Sequence, residues 1–345
     1  DDEVDGNILH RVRLEGLAPD TVYAYRVVTG ATESETFRFK TAPTPDSEAS
    51  VRLVVLSDSQ FDGSNPDVLR EIVEDGVLGF MLTDFDGELE EELEGVLLAG
   101  DLVDVGWNYD EWAETFFGPA SAILSSVPLY PVPGNHEGDS PYYFRYFELP
   151  DNGLPETLEH QWSLQISNVL LVGLDSNSGY RTEAQLDWLA GILDGACDDP
   201  HIDFVFAELH HPHKSELWIE GEIDYTGEVI ARLEAFSTDC GKPSIHFFGH
   251  THGYSRGQSQ EHQHLWVNAA TAGGNIDYWG EYAQMDYDEF TVSQDEWGFV
   301  LLEVEAGDDP KFRLRRVSRG NELVPRANEI RDDLTIRRYN APPAA

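Results

Sequence analysis

The sequence lacks long apolar runs, and this shortage excludes one class of protein at the outset. No stretch of about 18 apolar residues occurs in the chain, so we predict neither a transmembrane helix nor membrane insertion. The first residues, Asp1-Asp2-Glu3-Val4-Asp5, are too acidic for a signal peptide. If the protein is exported, we expect that its signal peptide has already been removed.

Cysteine is also scarce, with only Cys197 and Cys240 in the chain. Two cysteines at this distance do not have the spacing of a zinc site. Each precedes an apolar, β-type run, over residues 202–208 and 244–249 respectively. If those runs are neighbouring parallel strands, both cysteines lie at the same edge of one sheet. A disulfide and two free thiols are both compatible with this arrangement.

Positive charge is the third shortage. The chain has 22 Lys and Arg residues against 65 Asp and Glu residues, which gives a formal net charge of −43. Such self-repulsion destabilises a compact protein in dilute buffer and is screened in concentrated salt. We therefore expect a halophilic source in preference to an ordinary acidic secreted protein. The same charge argues against binding to nucleic acid or to an anionic membrane.

The composition is otherwise that of a globular protein of one or two domains, with 41% hydrophobic residues in 345. Residues 1–44 stand apart, because they alternate in a β pattern. In this part Leu17, Pro19, Thr21 and Tyr23 match the tyrosine corner of a fibronectin type III sandwich. We predict a partial, all-β fibronectin-like segment that acts as scaffold.

From Val51 onward, apolar β-type runs alternate with helical patterns. The helices are predicted over residues 66–80, 108–126, 182–194 and 225–237. Strands are predicted near residues 51–56, 96–100, 128–132, 162–167, 169–174, 203–209, 244–248, 265–270, 297–304 and 312–317. The pattern predicts an α/β (α+β) domain over residues 45–320, with two packed sheets flanked by helices, followed by a polar C-terminal tail over 321–345.

Polar side chains that bind metals follow the apolar runs at five places. The five clusters are Asp58-Ser59-Gln60, Gly100-Asp101, Gly134-Asn135-His136-Glu137, His210-His211 and Gly249-His250-Thr251-His252. Carboxylate, amide and imidazole groups on short loops at strand ends supply the oxygen and nitrogen donors that divalent or trivalent ions need. Two ions about 3.5–4 Å apart also need a carboxylate between them. Asp101 suits that bridging position, because it follows a buried strand and Gly100 lets the backbone turn closely.

The ordered set D-x-Q, GDLVD, GNHE, HHP and GHTH resembles the motifs of the calcineurin-like binuclear metallophosphoesterase superfamily. The surrounding sequence is most similar to its purple acid phosphatase-like branch, over most of residues 10–320. The resemblance implies a four-layer αββα sandwich. It also implies a phosphoric ester hydrolase in which a hydroxide that bridges two metal ions attacks phosphorus in line.

The resemblance also implies a ligand set for two ions. One ion would be held by Asp58, Gln60, Asp101 and His252, and the other by Asp101, Asn135, His210 and His250. His136 would contact the phosphate or protonate the leaving oxygen, and Glu137 would orient its loop.

Two positions depart from the family pattern. Purple acid phosphatases carry a tyrosine three residues after the bridging aspartate, where this chain has Asp104, so we expect no purple colour. Gln60 stands where many phosphodiesterases have histidine and purple enzymes have glycine. An amide oxygen is a weak, neutral donor, so Fe, Mn, Zn and Ca all remain possible cofactors.

Further residues near the motifs are candidates for substrate binding. We predict this role for His211, Lys214 and Arg256, together with His136. His246 is mid-strand and is predicted to lie in the core. The other histidines have no ligand spacing and are predicted to lie at the surface: His160, His201, His262 and His264.

The function expected from these residues is a phosphomonoesterase acting on phosphorylated small molecules. Within the superfamily that the motifs resemble, the glutamate of GNHE favours monoesters, whereas the D-x-Q start gives weak support to a phosphodiesterase or nucleotide pyrophosphatase. A third possibility is a non-catalytic phosphate-binding protein, and the full ligand set argues against it. We expect an extracellular or periplasmic location, with the cytoplasm of a halophile as the alternative. The sequence does not indicate an oligomeric state.

Overall fold

Two large β-sheets pack face to face, and helices cover both outer faces. The structure is a computed structural model, and it describes residues 2–4 and 6–339. The predicted α/β class and the αββα layer order are confirmed. Within the described residues, no helix has the length and apolar character needed to cross a bilayer.

The strands are numbered in chain order. They are β1 (Asp2–Val4), β2 (Asn7–Leu9), β3 (Val22–Tyr25), β4 (Val28–Thr29), β5 (Thr32–Glu33), β6 (Phe37–Lys40), β7 (Val51–Leu56), β8 (Gly95–Leu98), β9 (Leu129–Pro131), β10 (Gln161–Ile166), β11 (Val169–Leu174), β12 (Phe204–Glu208), β13 (Ser244–Phe248), β14 (Tyr254–Gln258), β15 (His264–Ala269), β16 (Phe290–Gln294), β17 (Trp297–Glu305), β18 (Lys311–Gly320) and β19 (Pro325–Arg337).

The helices are numbered in the same way. They are α1 (Val68–Glu71), α2 (Gly79–Asp84), α3 (Leu89–Glu92), α4 (Tyr109–Glu111), α5 (Gly118–Leu124), α6 (Tyr143–Tyr146), α7 (Glu183–Asp198) and α8 (Asp224–Asp239). A π-helical stretch, Ile72–Leu78, joins α1 to α2, and another, Trp112–Phe117, joins α4 to α5. Short 3₁₀ turns occur at Pro155–Thr157 and Ile219–Gly221.

Both sheets are mixed, with a block of neighbouring parallel strands joined to antiparallel ones. The six-stranded sheet has the order β19-β18-β17-β7-β8-β9, with β7, β8 and β9 parallel. The seven-stranded sheet has the order β10-β11-β12-β13-β15-β14-β16, with β11, β12, β13 and β15 parallel. Parallel strands covered on both faces have nearly continuous apolar sequences, as the run VRLVVL of β7 shows.

The alternation of side chains along β7 divides the core into layers. Val51, Leu53 and Val55 point between the two sheets, whereas Val54 and Leu56 pack beneath the helices of the first layer. The opposite outer face belongs to the seven-stranded sheet. There α7 and α8 pack on a sheet face that includes β11, β12 and β13. The helix α7 contributes leucines at helical intervals, and α8 contributes a mixed apolar face: Leu186, Leu189 and Leu193 from α7, and Val229, Leu233 and Phe236 from α8.

The N-terminal residues form three two-stranded antiparallel ribbons, β1–β2, β3–β6 and β4–β5. The hydroxyl of Tyr23 accepts a hydrogen bond from the backbone N–H of Ala18 at 2.9 Å, which is the kind of contact that a tyrosine corner makes. Tyr25 donates to the carbonyl of Ser125 at 2.7 Å and so attaches β3 to the main domain. The fibronectin-like origin of this segment and its boundary at residue 44 stay predictions.

The prediction of a C-terminal tail over residues 321–345 is wrong for most of that stretch. Residues Pro325–Arg337 form β19, which pairs antiparallel with β18 along the edge of the six-stranded sheet. Asp332 accepts from Tyr254 of the other sheet at 2.7 Å. The sheet therefore extends beyond residue 320. The end of the predicted tail, 340–345, lies outside the described residues.

A disulfide joins Cys197, at the end of α7, to Cys240, just after α8. Of the two alternatives that the sequence left open, the bonded one is present. The bridge closes a loop with a sequence separation of 43. In the chain-entropy model such a loop stabilises the fold by about 4 kcal/mol.

Candidate metal centre

The five polar clusters meet at one end of the sandwich, beyond the carboxyl ends of the parallel strands. Asp58 and Asp101 follow β7 and β8, while His210 and His250 follow β12 and β13. The carboxyl ends of parallel strands lie at the same edge of a sheet, and that edge is where α/β proteins hold ligands. Ser57 pairs with Ala270 in an isolated bridge, which brings the edges of the two sheets together at this point.

Three of the clustered side chains stand on left-handed backbone. The φ angles are 56° at Asp58, 54° at Asp101 and 71° at His250. Residues other than glycine seldom adopt this conformation, and where they do they are often part of a functional site. Gly100 has a φ of 94°, and a Cβ there would lie 2.6 Å from Nδ1 of His210. Glycine at 100 therefore lets His210 pack directly against the turn that carries Asp101.

Asp101 lies at the centre of one group of donor atoms. Ligand atoms of Asp101, His210 and His250 all lie within 4.8 Å of one another. Oδ2 of Asp101 is 3.0 Å from Nε2 of His210, and the same nitrogen is 3.0 Å from Oδ1 of Asn135. A carboxylate, two imidazoles and an amide oxygen are thus in place around one point.

Asp58, Gln60 and His252 form the second group. Oδ1 of Asp58 is 3.2 Å from Nε2 of His252. The side-chain nitrogen of Gln60 lies 3.2 Å from the carbonyl oxygens of Asp58 and Asp101, in the orientation that satisfies the whole amide. In that orientation the amide oxygen is 3.1 Å from Nε2 of His252. The oxygen, and not the nitrogen, therefore faces the site, as a metal ligand requires.

The imidazole rings are held so that one nitrogen faces the cluster. Nδ1 of His210 lies 2.9 Å from the carbonyl of Ala99, and Nδ1 of His252 lies 2.6 Å from that of Asn275. A carbonyl can only accept, so each Nδ1 carries a proton, and each Nε2 faces the cluster and becomes a metal ligand once its own proton is released. This is the second contact that metal-binding histidines commonly make. The donor set and its orientation therefore fit a centre of two cations.

The electrostatics of the cluster are those of closely packed opposite charges. Burial disfavours a charge on His210, but the adjoining carboxylate of Asp101 raises its pKa to about 10. In the same way Asp58 outweighs burial and raises the pKa of His252 to about 9. Burial, with the charge of His210, lowers the pKa of His250 to about 4. Cations at these positions would replace the protons that now balance the two aspartates.

Glu137 connects two of the loops that form the site. It is fully buried, and its carboxylate accepts from the backbone N–H groups of Asp101 at 3.0 Å, Leu102 at 2.8 Å and Gly134 at 2.7 Å. Burial and the nearby Asp101 raise its pKa to about 7. Glu137 thus fixes the turn before Asn135 and His136 against the turn of Asp101.

His136 stands at the mouth of the cluster and is partly exposed. Its Nδ1 lies 2.6 Å from the carbonyl of Asp104, and its Nε2 lies 3.9 Å from Oδ2 of Asp101. Burial alone would lower the pKa of His136, but Asp101 and the Asp104 carbonyl raise it above its usual value. A protonated Nε2 can therefore face a group bound at the cluster.

The other predicted substrate contacts have different surroundings. His211 is buried, with its ring 4.6 Å from that of His250 and Nδ1 2.9 Å from Oγ of Ser176. Nζ of Lys214 is 2.7 Å from Oε1 of Glu289. Arg256 forms a two-point ion pair with Asp332 of β19. The charges of Lys214 and Arg256 are thus already balanced within the protein, and their substrate role stays a prediction.

Two further residues at the site had no signal in the sequence. Asp277, in a loop distant along the chain, accepts from the backbone N–H of His252 at 2.6 Å. The ring of Trp218 lies 5.3 Å from that of His250. Neither belongs to a motif or a periodic run, so only the folded chain brings them to the site.

The remaining histidines divide between core and surface. His246 is fully buried, as predicted, and His201 is exposed, as predicted. The prediction of a surface position is wrong for His160 and His264, which are 8% and 0% exposed. His264 is paired with His246 at 3.0 Å between ring nitrogens.

Comparison with known proteins gives a match along the metal-binding part of the chain. A family model described as calcineurin-like phosphoesterase matches residues 51–254, a range that contains all five clusters. No curated protein matches the chain.

Solved structures share the fold at low sequence identity. Purple acid phosphatase PPD1 from yellow lupin (Lupinus luteus) seeds has a TM-score of 0.67 and 17% identity, over 92% of this chain and 60% of that one. PhoD has a TM-score of 0.66 and 14% identity, over 94% and 76%. GAP50, the anchor in the inner membrane complex of Plasmodium, has a TM-score of 0.56 and 14% identity, over 82% and 90%. The chain thus spans about 60% of the length of the lupin protein.

Proposed function

Because the chain belongs to the calcineurin-like phosphoesterase family, a family of phosphoric ester hydrolases, we propose that it is a binuclear metal-dependent phosphomonoesterase. The resemblance read from the motifs is confirmed at the level of this family. The observation that carries the proposal is the position of Asp101. Its carboxylate oxygen Oδ2 lies 3.0 Å from Nε2 of His210, and its backbone carbonyl accepts from the side-chain nitrogen of Gln60 at 3.2 Å. Asp101 thus stands between the two groups of donors.

The proposed ligands follow from these two groups. Asp58, Gln60, Asp101 and His252 would hold one ion, while Asn135, His210 and His250 would complete the other site with Asp101. Such a mixed nitrogen and oxygen set suits Fe, Mn or Zn, and Ca remains possible. When bound, the ions supply Lewis-acid stabilisation of a phosphoryl oxygen and lower the pKa of water.

The chain's own groups would bind the phosphate and move one proton. His136 is placed to donate from Nε2, because its Nδ1 is fixed on the Asp104 carbonyl. Its raised pKa keeps the ring protonated to a higher pH than in a free histidine. We assign to it the proton that goes to the leaving alcohol oxygen. Glu137 holds the loop of His136 in position and, being buried, does not touch the substrate.

The experiment that tests this proposal compares p-nitrophenyl phosphate with bis-p-nitrophenyl phosphate. Steady-state rates are measured after the protein is loaded with Mn, Zn or Fe. A monoesterase hydrolyses the first substrate faster, and a diester preference above about tenfold would instead support the phosphodiesterase or nucleotide pyrophosphatase.

The variant that tests the bridging role is Asp101→Asn, which keeps the shape of the side chain and removes its charge. We expect this variant to be inactive, and retained turnover would overturn the bridging role of Asp101. Fewer than one bound metal per chain in the wild type, with no hydrolysis of either substrate, would favour a non-catalytic binding protein. The disulfide also supports an extracellular or periplasmic location, since such bonds persist in oxidising compartments.

A further inference from the structure

A second group of metal-binding side chains lies beside the candidate centre and shares no residue with it. Donor atoms of Asp139, His160 and Asp175 lie within 4.8 Å of one another. His160 and Asp175 are 8% and 0% exposed, whereas Asp139 lies at the surface. The group is therefore open to solvent on one side only.

The ring of His160 is fixed by aromatic contacts on both faces. Its centroid lies 3.7 Å from that of Tyr180, nearly parallel, and 4.5 Å from that of Phe144. The faces are thus covered, and only the ring edge with its two nitrogens can make polar contacts. Nδ1 lies 2.6 Å from Oδ2 of Asp175. An imidazole held by its faces is orientated in advance for a ligand at its edge.

The two carboxylates are also positioned by other groups. Oδ1 of Asp175 accepts from the backbone N–H of Asn177 at 2.7 Å, which leaves Oδ2 directed at His160. The carboxylate of Asp139 lies near the hydroxyl of Tyr180. Contacts of this kind orientate the ligands in metal sites.

We propose that Asp139, His160 and Asp175 form a further binding site for a divalent cation such as Zn²⁺ or Mn²⁺. One imidazole nitrogen and two carboxylate oxygens are hard-to-borderline donors that suit these ions, with water at the remaining positions. Binding would release the proton that joins Nδ1 of His160 to Oδ2 of Asp175, and that proton goes to solvent. The protein's net charge of −43 raises the local concentration of cations.

The site would support the loop of the candidate centre. Asp139 is three residues beyond His136 in the same loop. On the other side of the cation, Asp175 begins the segment in which Asn177 donates to the carbonyls of Pro133 and Gly134 at 3.2 and 3.1 Å. A cation between Asp139 and Asp175 would therefore tie both ends of the loop that carries Asn135 and His136.

The test is a count of bound metal in full-length protein. Wild type and variants are dialysed to equilibrium against the same micromolar free Zn²⁺, then against Mn²⁺, and their metal content is measured. Asp139→Asn replaces an exposed carboxylate ligand by a weak, neutral amide, and His160→Phe keeps a ring between Phe144 and Tyr180 but removes both nitrogens. The matched control is Asp151→Asn, since Asp151 is an exposed acid outside the group.

We expect the wild type and Asp151→Asn to bind one more ion per chain than either Asp139→Asn or His160→Phe. Equal metal content in all four proteins would overturn the proposal. Loss of all bound metal in Asp139→Asn would also overturn it, because the group would then not be a separate site. The readout is a difference in metal content and does not depend on hydrolytic activity.

Discussion

The backbone N–H of His250 donates to both carboxylate oxygens of Asp58, each at 3.0 Å. Asp58 follows β7 in one sheet, and His250 follows β13 in the other. Both have left-handed backbone, with φ of 56° and 71°. Oγ of Ser57 donates to Oδ2 of Asp58 at 2.6 Å as well. The link between the sheets therefore also fixes the direction in which the Asp58 carboxylate points.

This contact predicts that Gly249→Ala damages the candidate centre. A Cβ at Gly249 would lie 2.1 Å from Oδ2 of Asp58 and 2.1 Å from Oγ of Ser57, so both side chains must move. A shift of about 1 Å in a catalytic constellation costs roughly 10²-fold in rate. We expect kcat for p-nitrophenyl phosphate to fall by about that factor, together with a lower metal content at limiting metal.

The control for this variant is Gly191→Ala, in α7. A Cβ there would meet nothing within 4 Å, and alanine favours helix over glycine. We expect normal activity and equal or slightly higher stability for Gly191→Ala. An active, fully metallated Gly249→Ala protein would show that the Asp58 carboxylate does not need this packing.

The variant His136→Ala distinguishes between two roles for His136, that of a proton donor and that of a metal ligand. Loss of a general acid lowers kcat by roughly 10²–10⁴-fold, whereas metal content should stay at the wild-type value. The measurement pairs steady-state rates with metal analysis of the same sample. An aryl phosphate with a more acidic leaving phenol should lose less activity, since it needs less protonation. Loss of metal together with activity would make His136 a ligand and not an acid.

The sequence predicted the parts of the site that depend on local signals. β7 and β8 are short apolar runs, and each is followed within three residues by an aspartate with left-handed backbone, Asp58 and Asp101. Strand ends of this kind, repeated along the chain, were sufficient to predict which side chains meet. The order of the motifs then identified the family.

Contacts between distant segments were not predictable in this way. β19 alternates without a clear apolar face, since it is an edge strand with many exposed residues, and it therefore resembled a tail. Its Asp332 binds Arg256, which the motif spacing had suggested for substrate. Asp277 reaches His252 from a loop with no regular pattern. These pairings depend on tertiary packing, which overrides local propensity.

The buried pair His246 and His264 predicts a loss of stability in acid. Both are fully buried, burial lowers the pKa of His264 to about 3, and burial with the neighbouring ring lowers that of His246 well below its usual value. Below about pH 6.5 the unfolded chain binds protons at these rings and the folded chain does not. The stabilisation is thus complete above that pH and is lost as the pH falls toward about 3.

The variant His264→Asn tests this, because an amide can still meet Ser244, which now lies 2.8 Å from Nδ1. The free energy of unfolding is measured in urea at about pH 7 and about pH 5. A single histidine with so low a folded pKa costs about 2 kcal/mol over that interval. We expect the decrease in the free energy of unfolding between the two pH values to be smaller by about this amount in His264→Asn. In the exposed control His201→Asn we expect the same decrease as in the wild type. An unchanged loss in His264→Asn would contradict the assignment.

The excess of acidic residues predicts that salt stabilises the fold, in keeping with the halophilic source that we propose. Ion pairs such as Arg313–Asp333 are partly exposed. Each contributes less than about 1 kcal/mol, and salt weakens this contribution. Repulsion among 65 acidic residues against 22 basic ones is screened at the same time, as the Debye length falls to about 3 Å at 1 M. Since acidic residues are so far in excess, we expect relief of repulsion to win. The melting temperature should rise steeply from low salt to molar KCl, and a flat response would contradict a halophilic adaptation.

The end of α8 offers a local control for the salt effect. α8 has no basic residue in its last turn and ends at the exposed Asp239, where a negative charge opposes the helix dipole. Such a contact costs about 0.3–1 kcal/mol at low ionic strength and is screened by salt. Asp239→Asn should therefore melt at a higher temperature than the wild type in dilute buffer and at nearly the same temperature in molar KCl. If the melting temperature of the variant exceeds that of the wild type equally in dilute buffer and in molar KCl, the stabilisation is not electrostatic. Sucrose, which adds no ions, should leave the difference between the two proteins intact.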